Sequence, residues 1–435
     1  MLQTQSNRAR VIIVMVLALV IGAIIMVVVG GPSLLDDANA NSENAANANT
    51  TAQDPDPFMA SAITDPPFES IAYGVQTFLW WDDGWSAGKH MDWVLMMQFT
   101  QVKQIFAWED LELEPGAWDW SRADFIVDEL EQRNLGIVGR LGHVPNWAHP
   151  DLPDRGDGYV DAPPSSGEAW ANYCRTVADR YKGRIGAYQI WNEPNLDREW
   201  GGQEPDAAGY VNMLRICSEA IREVDPDAIL ISAGLAPTGG LVTAEGIVKA
   251  VPDDDFLREM YENDFQQYID VVGVHAPGFS EPSYGPDEAE RDGLQRWQAF
   301  RRPEDLREIM IEYGDEARQM AILEMGYTTN TENDIYSWFA VTEDEQADYL
   351  VEAYTYIAEN WRPWVGLVTL IYIADLSWDE ADEEFWFAID NPVTFETRPA
   401  FNAMVQMEKY CGDIVLPVRS SEETAGVPDE PNPCN

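Results

Sequence analysis

Apolar residues fall along this chain in two alternating kinds of run. One kind is short and unbroken, as in Val271-Val272-Gly273-Val274. A strand reads this way when both of its faces are covered. The other recurs at helical spacing, as with Trp170, Tyr173 and Val177 inside 168–181, which marks a helix with one buried face. Strands are predicted over 71–80, 102–107, 136–141, 185–191, 228–233, 271–275, 320–325 and 365–373. Helices are predicted over 91–100, 122–133, 168–181, 207–224, 256–268, 303–311, 343–360 and 399–410. Eight strands alternating with eight helices predict an α/β fold, a single closed (β/α)₈ TIM barrel over residues 67–413. An open doubly wound sheet would want a glycine-rich phosphate loop after the first strand, and none follows it.

The ends of the chain carry different patterns. Val11 to Val29 is apolar apart from one glycine, behind Arg8 and Arg10. A run of that length nearly spans the ~30 Å hydrocarbon core of a bilayer. Residues 11–30 are therefore expected to be a transmembrane signal anchor, with 1–10 cytoplasmic because the arginines lie on that side. The barrel would then be held outside the cell membrane on a single span, or secreted if the segment is cleaved. Residues 31–66, rich in Asn, Ala, Ser, Asp and Pro, read as a disordered stalk. Residues 414–435 read as a C-terminal tail. Of the four cysteines, Cys411 and Cys434 suit a disulfide across the tail, while Cys174 and Cys217 are either paired or buried thiols.

Chemistry concentrates where two strands end. In Gln189-Ile190-Trp191-Asn192-Glu193-Pro194-Asn195 the proline closes the fourth strand, leaving Asn192 and Glu193 at its C-terminal end. The seventh strand carries Glu324 within Leu323-Glu324-Met325-Gly326. A charge placed in so apolar a strand is costly unless it has a purpose. In a parallel barrel both carboxylates would face the mouth at which active sites form. Two carboxyl groups flanking one bond are what hydrolysis of a glycoside requires.

Charge narrows the partners. The 435 residues include 76 acidic and 27 basic ones, a net charge of −49, which excludes nucleic acid and anionic lipid surfaces as natural ligands. No cysteine lies in a CxxC pair or at zinc-ligand spacing from a histidine, so no metal or other cofactor is expected. The oligomeric state is not readable. The acidic run at 378–384 lacks the glycine spacing of a calcium loop and reads as a solvated loop. Residues 276–302 form a long segment after the sixth strand, placed to shape one wall of a cleft.

Trp191-Asn192-Glu193-Pro194-Asn195 and Leu323-Glu324-Met325-Gly326 resemble the motifs of clan A glycoside hydrolases, the retaining β-glycosidases built on (β/α)₈ barrels. The stretches at 103–121 and 136–147 are similar to the second- and third-strand regions of the β-xylosidase and β-galactosidase branches. The resemblance covers residues 71–413. It implies Glu193 as acid/base, Glu324 as nucleophile, and Asn192 as a hydrogen-bond partner of the sugar 2-hydroxyl. The implied reaction is double displacement on a β-linked oligo- or polysaccharide.

The sequence also departs from that pattern. Lys103 stands where relatives often have the arginine that holds the nucleophile's charge, with Arg140 as a substitute. Pro277 replaces a tyrosine that often follows the sixth-strand histidine, here His275. Trp378 lies a few residues beyond the place of an expected eighth-strand tryptophan. His275, His143, Trp147, Trp80 and Trp378 complete the candidate substrate contacts. The competing function is an anchored barrel that binds carbohydrate without cleaving it.

Overall fold

The computed structural model describes residues 56–150, 152, 161–333 and 336–418. The expected anchor at 11–30, the segment before it, most of the stalk and Cys434 lie outside the described residues. Among the described residues no helix is long and apolar enough to cross a membrane. The last part of the expected stalk does not stand free. Ile63 is buried, and Phe58 packs against Trp364 with ring centroids 5.4 Å apart. These two apolar side chains give residues 56–66 a surface to hold that the preceding polar run lacks.

Eight parallel strands close into a barrel: β1 Ala72–Thr77, β2 Gln101–Ala107, β3 Gly136–Gly142, β4 Ala187–Ile190, β5 Ile229–Ile231, β6 Val271–Pro277, β7 Gln319–Gly326 and β8 Val365–Leu370. Hydrogen-bonded neighbours run β1-β8-β7-β6-β5-β4-β3-β2, so every strand pairs with the next in sequence and β1 closes on β8. The main outer helices are α1 Gly84–Met96, α2 Ser121–Gln132, α3 Gly167–Arg180, α4 Ala207–Val224, α5 Asp253–Glu262, α6 Arg302–Glu312, α7 Glu343–Asn360 and α8 Pro399–Gln406. All eight predicted strands are present, and α4 and α7 have the predicted bounds.

The misplaced helix ends have local causes. Helix α1 starts earlier than the expected 91–100 because the Asp83 side chain accepts hydrogen bonds from the Trp85 and Ser86 amides, an N-terminal cap. It ends where Gln98 takes a φ of 58°. Helix α5 stops short of 268 because Asp264 adopts a φ of 61°. Beyond α8, Lys409–Cys411 turns into a strand paired with Ile414–Leu416, so the expected tail begins with ordered structure.

The barrel interior is filled by Val138, Ala187, Ile231, Val271, Ala321, Leu323 and Leu367, with Phe68 packed against them. Phe68 is held by exchange with one side chain: its N–H donates to Gln319 Oε1 at 3.0 Å and its carbonyl accepts from Gln319 Nε2 at 3.1 Å. The N-terminal mouth is thus apolar, which leaves the opposite mouth for polar groups.

Behind β4, Cys174 on α3 is bonded to Cys217 on α4, so these two cysteines are paired rather than free. Cys411 is also disulfide-bonded. The Cys174–Cys217 link closes a loop with a sequence separation of 43. Loop-closure entropy assigns it up to about 4 kcal/mol. Replacing both residues by alanine is expected to lower the free energy of unfolding by roughly 2–4 kcal/mol, measured by urea denaturation.

Candidate active site

The site is built by backbone that leaves the regular strand geometry. After Ile190 the chain passes through Trp191 at φ 73° and Glu193 at φ 39°, left-handed values that non-glycine residues seldom adopt. Two hydrogen bonds hold the turn: Trp191 N–H to the Leu141 carbonyl at 3.0 Å and Glu193 N–H to the Gly234 carbonyl at 3.0 Å. Such conformations persist where the surroundings over-determine them, and they gather at functional sites. Here both neighbouring strands supply the anchor.

Glu324 is aimed by a second irregularity. Along β6 and β7, Val274 is level with Ile322 but His275 is level with Glu324, so Leu323 is an extra residue in the ladder. A bulge of this kind re-aims the side chain that follows it. Position 234, at the end of β5, clears the space between the strands. A Cβ there would lie 2.1 Å from His275 Cδ2, so the imidazole can occupy its place only beside glycine.

The result is a line of buried charges. His275 Nδ1 lies 2.9 Å from Glu193 Oε1 and 3.5 Å from Glu324 Oε2. Lys103 Nζ donates to Glu324 Oε1 at 3.2 Å and to the Leu323 carbonyl at 3.0 Å. Arg198 Nη2 donates to Glu193 Oε2 at 2.6 Å. One oxygen of Glu193 and one of Glu324 lie within 4.8 Å of each other, with the imidazole between them.

Each group's protonation follows from these neighbours. Burial alone would push the Glu193 carboxyl up, but Arg198, His275 and Arg140 outweigh it and bring the carboxyl down to about 2. The nearest cation to Glu193 is Arg198, which favours its charged form. Burial lowers Lys103 to about 8 against the opposing pull of Glu324.

The other expected residues divide. Asn192 is buried beside Glu193, its Oδ1 accepting from Gln189 Nε2 at 3.2 Å. Lys103 itself carries the contact to Glu324, while Arg140 Nη2 lies 4.0 Å from Glu199 Oε2. His143 is buried with Nε2 3.9 Å from Asp161 Oδ1, and burial followed by Arg140 lowers it to about 3, so it stays neutral. Trp147 donates its indole N–H to the Glu112 carbonyl at 3.0 Å and meets Trp108 edge-on, a packing role. Trp80 is half-buried and edge-on to Phe106. Trp378 packs against Phe78 and Tyr372 in an aromatic cluster.

Three features escaped the sequence reading. Arg198 lies on a 3₁₀ turn, Asp197–Glu199, which folds back onto the residue five positions earlier. Tyr372 is buried just after β8, and its hydroxyl is pushed far up by burial and then by Glu324. The acidic run is not a solvated loop throughout. The short helix Glu383–Phe387 buries Phe385 and Phe387 and carries Glu383 and Glu384 inward with them. Asn330 Nδ2 donates to Glu383 Oε2 at 3.3 Å, while both Glu384 oxygens are buried without a hydrogen bond among the described residues.

Comparison with known proteins agrees with this geometry. The family model described as Glycosyl hydrolase family 10 matches residues 94–234, a segment that includes Lys103 and Glu193. A family 39 glycoside hydrolase from Bacteroides cellulosilyticus WH2 superposes with a TM-score of 0.56 at 20% identity, over 79% of this chain and 64% of that one. The chain thus spans less than two thirds of that protein. A monomeric beta-xylosidase from Caulobacter crescentus CB15 gives 0.55 at 17%, covering 79% and 69%. Xylanase 10B from Thermotoga petrophila RKU-1, in complex with xylobiose, gives 0.51 at 16%, covering 77% and 92%. At these identities the superpositions establish the fold. With the family match they support a glycosidase similar to the clan A glycoside hydrolases of the cellulase and xylosidase-like branch.

Two predictions come from the charges. Lys103 keeps its proton below about 8 and loses it above, so activity that needs the cation should fall as pH rises through that value. Lys103→Arg should move this alkaline limb upward, and Lys103→Met should lower kcat/KM by about 10²-fold; both are read from pH–rate profiles. For Glu383, burial raises the carboxyl to about 8 despite the Asn330 and Thr328 hydrogen bonds. A raised carboxyl costs stability above its unfolded pKa, increasingly so up to its folded one. Glu383→Gln should therefore raise the melting temperature near pH 8 and leave it unchanged near pH 4.

Proposed function

Taking the chain as a glycosidase of the clan A kind, we propose that it cleaves β-linked glycosides with retention at the anomeric carbon. Glu324 is the nucleophile and Glu193 the acid/base. The observation that carries this reading is the separation of the two carboxyl groups, within 4.8 Å at their nearest oxygens. Retaining enzymes hold their carboxyls at about 5 Å, whereas inverting ones leave roughly 6.5–9.5 Å for a water.

In the first step a Glu324 oxygen bonds to the anomeric carbon as the bond to the leaving oxygen breaks. That oxygen takes its proton from Glu193. In the second step water attacks the same carbon, Glu193 accepts the water's proton, and the ester to Glu324 breaks. Lys103, donating to Glu324 Oε1 at 3.2 Å, orients the nucleophile toward the anomeric carbon. Asn192, beside Glu193, binds the sugar 2-hydroxyl in this reading.

Retention is read directly from the anomer first released from an aryl β-glycoside, followed by proton NMR before mutarotation. The β-anomer is expected; the α-anomer would refute the mechanism. Glu324→Gln should abolish turnover with the fold intact. Glu193→Ala should lose about 10²–10⁴-fold on poor leaving groups and regain rate with azide, giving a β-glycosyl azide. A barrel that only binds carbohydrate would release no aryl alcohol from any member of an aryl β-glycoside panel.

A further inference from the structure

The ion pair between Arg198 and Glu193 is at odds with the acid step. A general acid must hold a proton near working pH, and Glu193 at rest holds none. Other groups face it as well. From β6 it meets His275, from β3 Arg140, from β2 the Lys103 cation, from β7 Glu324, and from beyond β8 Tyr372. Glu199, next to Arg198 on the same turn, also faces it. Among these the guanidinium is the strongest influence that lowers the Glu193 carboxyl, and burial is the strongest that raises it. If Arg198 is drawn away, the balance shifts toward burial, which favours the protonated acid, against the remaining pull of His275 and Arg140.

What could draw it away is constrained by its surroundings. The Arg198 side chain is 24% exposed. Its Nε and Nη1 atoms are buried with no hydrogen-bond partner among the described residues. The other acids near it, Glu199 and Asp161, are pushed up by burial, Glu199 also by its neighbour Asp161. Burial thus weakens both as partners for the guanidinium, and Glu193 is the carboxylate that holds it. A neutral sugar offers hydroxyls, which cannot match a carboxylate as partner for arginine. A sugar carboxylate can.

We propose that the substrate carries a uronic acid at one of the two sugars flanking the scissile bond, and that its carboxylate takes Arg198 from Glu193 and so arms the acid. This rests on the two-carboxylate reading above and adds the substrate class to it. Arg198 is set in a protein of net charge −49, so this local cation, not the overall field, would select the anion.

The test compares matched pairs on the full chain near neutral pH. One pair is 4-nitrophenyl β-D-glucuronide against 4-nitrophenyl β-D-glucoside, which differ only at C6. The other is a β-linked disaccharide with the uronate on the leaving side against its carboxyl-reduced counterpart. In one pair the uronate member should have a kcat/KM about tenfold or more above its partner, the scale of a charge-assisted hydrogen bond. Arg198→Ala should erase that preference, speed the neutral member and move its alkaline limb upward, while Arg198→Lys keeps part of the preference. A neutral preference in both pairs, or a ratio untouched by Arg198→Ala in a variant that melts like wild type, would overturn the proposal while leaving the glycosidase reading intact. If no substrate of either kind is cleaved, the glycosidase reading fails. Calorimetry then decides the pocket's preference: glucuronate binding more tightly than glucose, and losing that margin in Arg198→Ala, supports it; equal binding refutes it.

Discussion

Two carboxylates within 4.8 Å of each other, both buried, cannot stay ionised unless cations stand beside them. Much of the barrel's mouth follows from that constraint. The imidazole of His275 lies between Glu193 and Glu324, Lys103 closes the line on one side, and Arg198 closes it on the other. Removing one partner from such a set leaves an uncompensated buried charge, which costs far more than the pair is worth as a net gain. The cluster is therefore an assembly whose members come from β2, β4, β6 and β7 and have to be brought together by closure of the sheet.

The backbone shows how this is done. Several irregular features at the mouth serve the charged cluster: left-handed turns at Trp191 and Glu193, a bulge at Leu323, a glycine at 234. The apolar end, stopped by Phe68, takes its order from packing and the Gln319 amide. Stability and chemistry are separated along the barrel axis, the usual arrangement of this fold.

The strands were legible because burial on both faces writes itself as unbroken apolar runs, and Glu193 and Glu324 because charge inside such a run is conspicuous. Helix bounds were less so: the Asp83 cap and the left-handed Gln98 and Asp264 have no apolar periodicity to reveal them. The partners of the two glutamates were the hardest. Arg198 looks like any arginine on a polar loop, and only the twisted backbone behind it turns it onto Glu193. Glu383 and Glu384 read as solvated because their run is acidic, yet the flanking Phe385 and Phe387 decide where the turn goes. Trp147 and Trp80 carried the same ambiguity, since an aromatic ring suits a core as well as a sugar.

Gly234, just past β5, and His275, on β6, lie 41 positions apart in sequence, and one exists in its present form only because the other has no side chain. The two positions are in effect a single two-letter word. A barrel with any larger residue at the first would have to place its histidine elsewhere or do without it. Glycine at the end of the fifth strand thereby becomes a marker by which barrels that bridge their two carboxylates through an imidazole could be sorted from those that do not, before any coordinates exist.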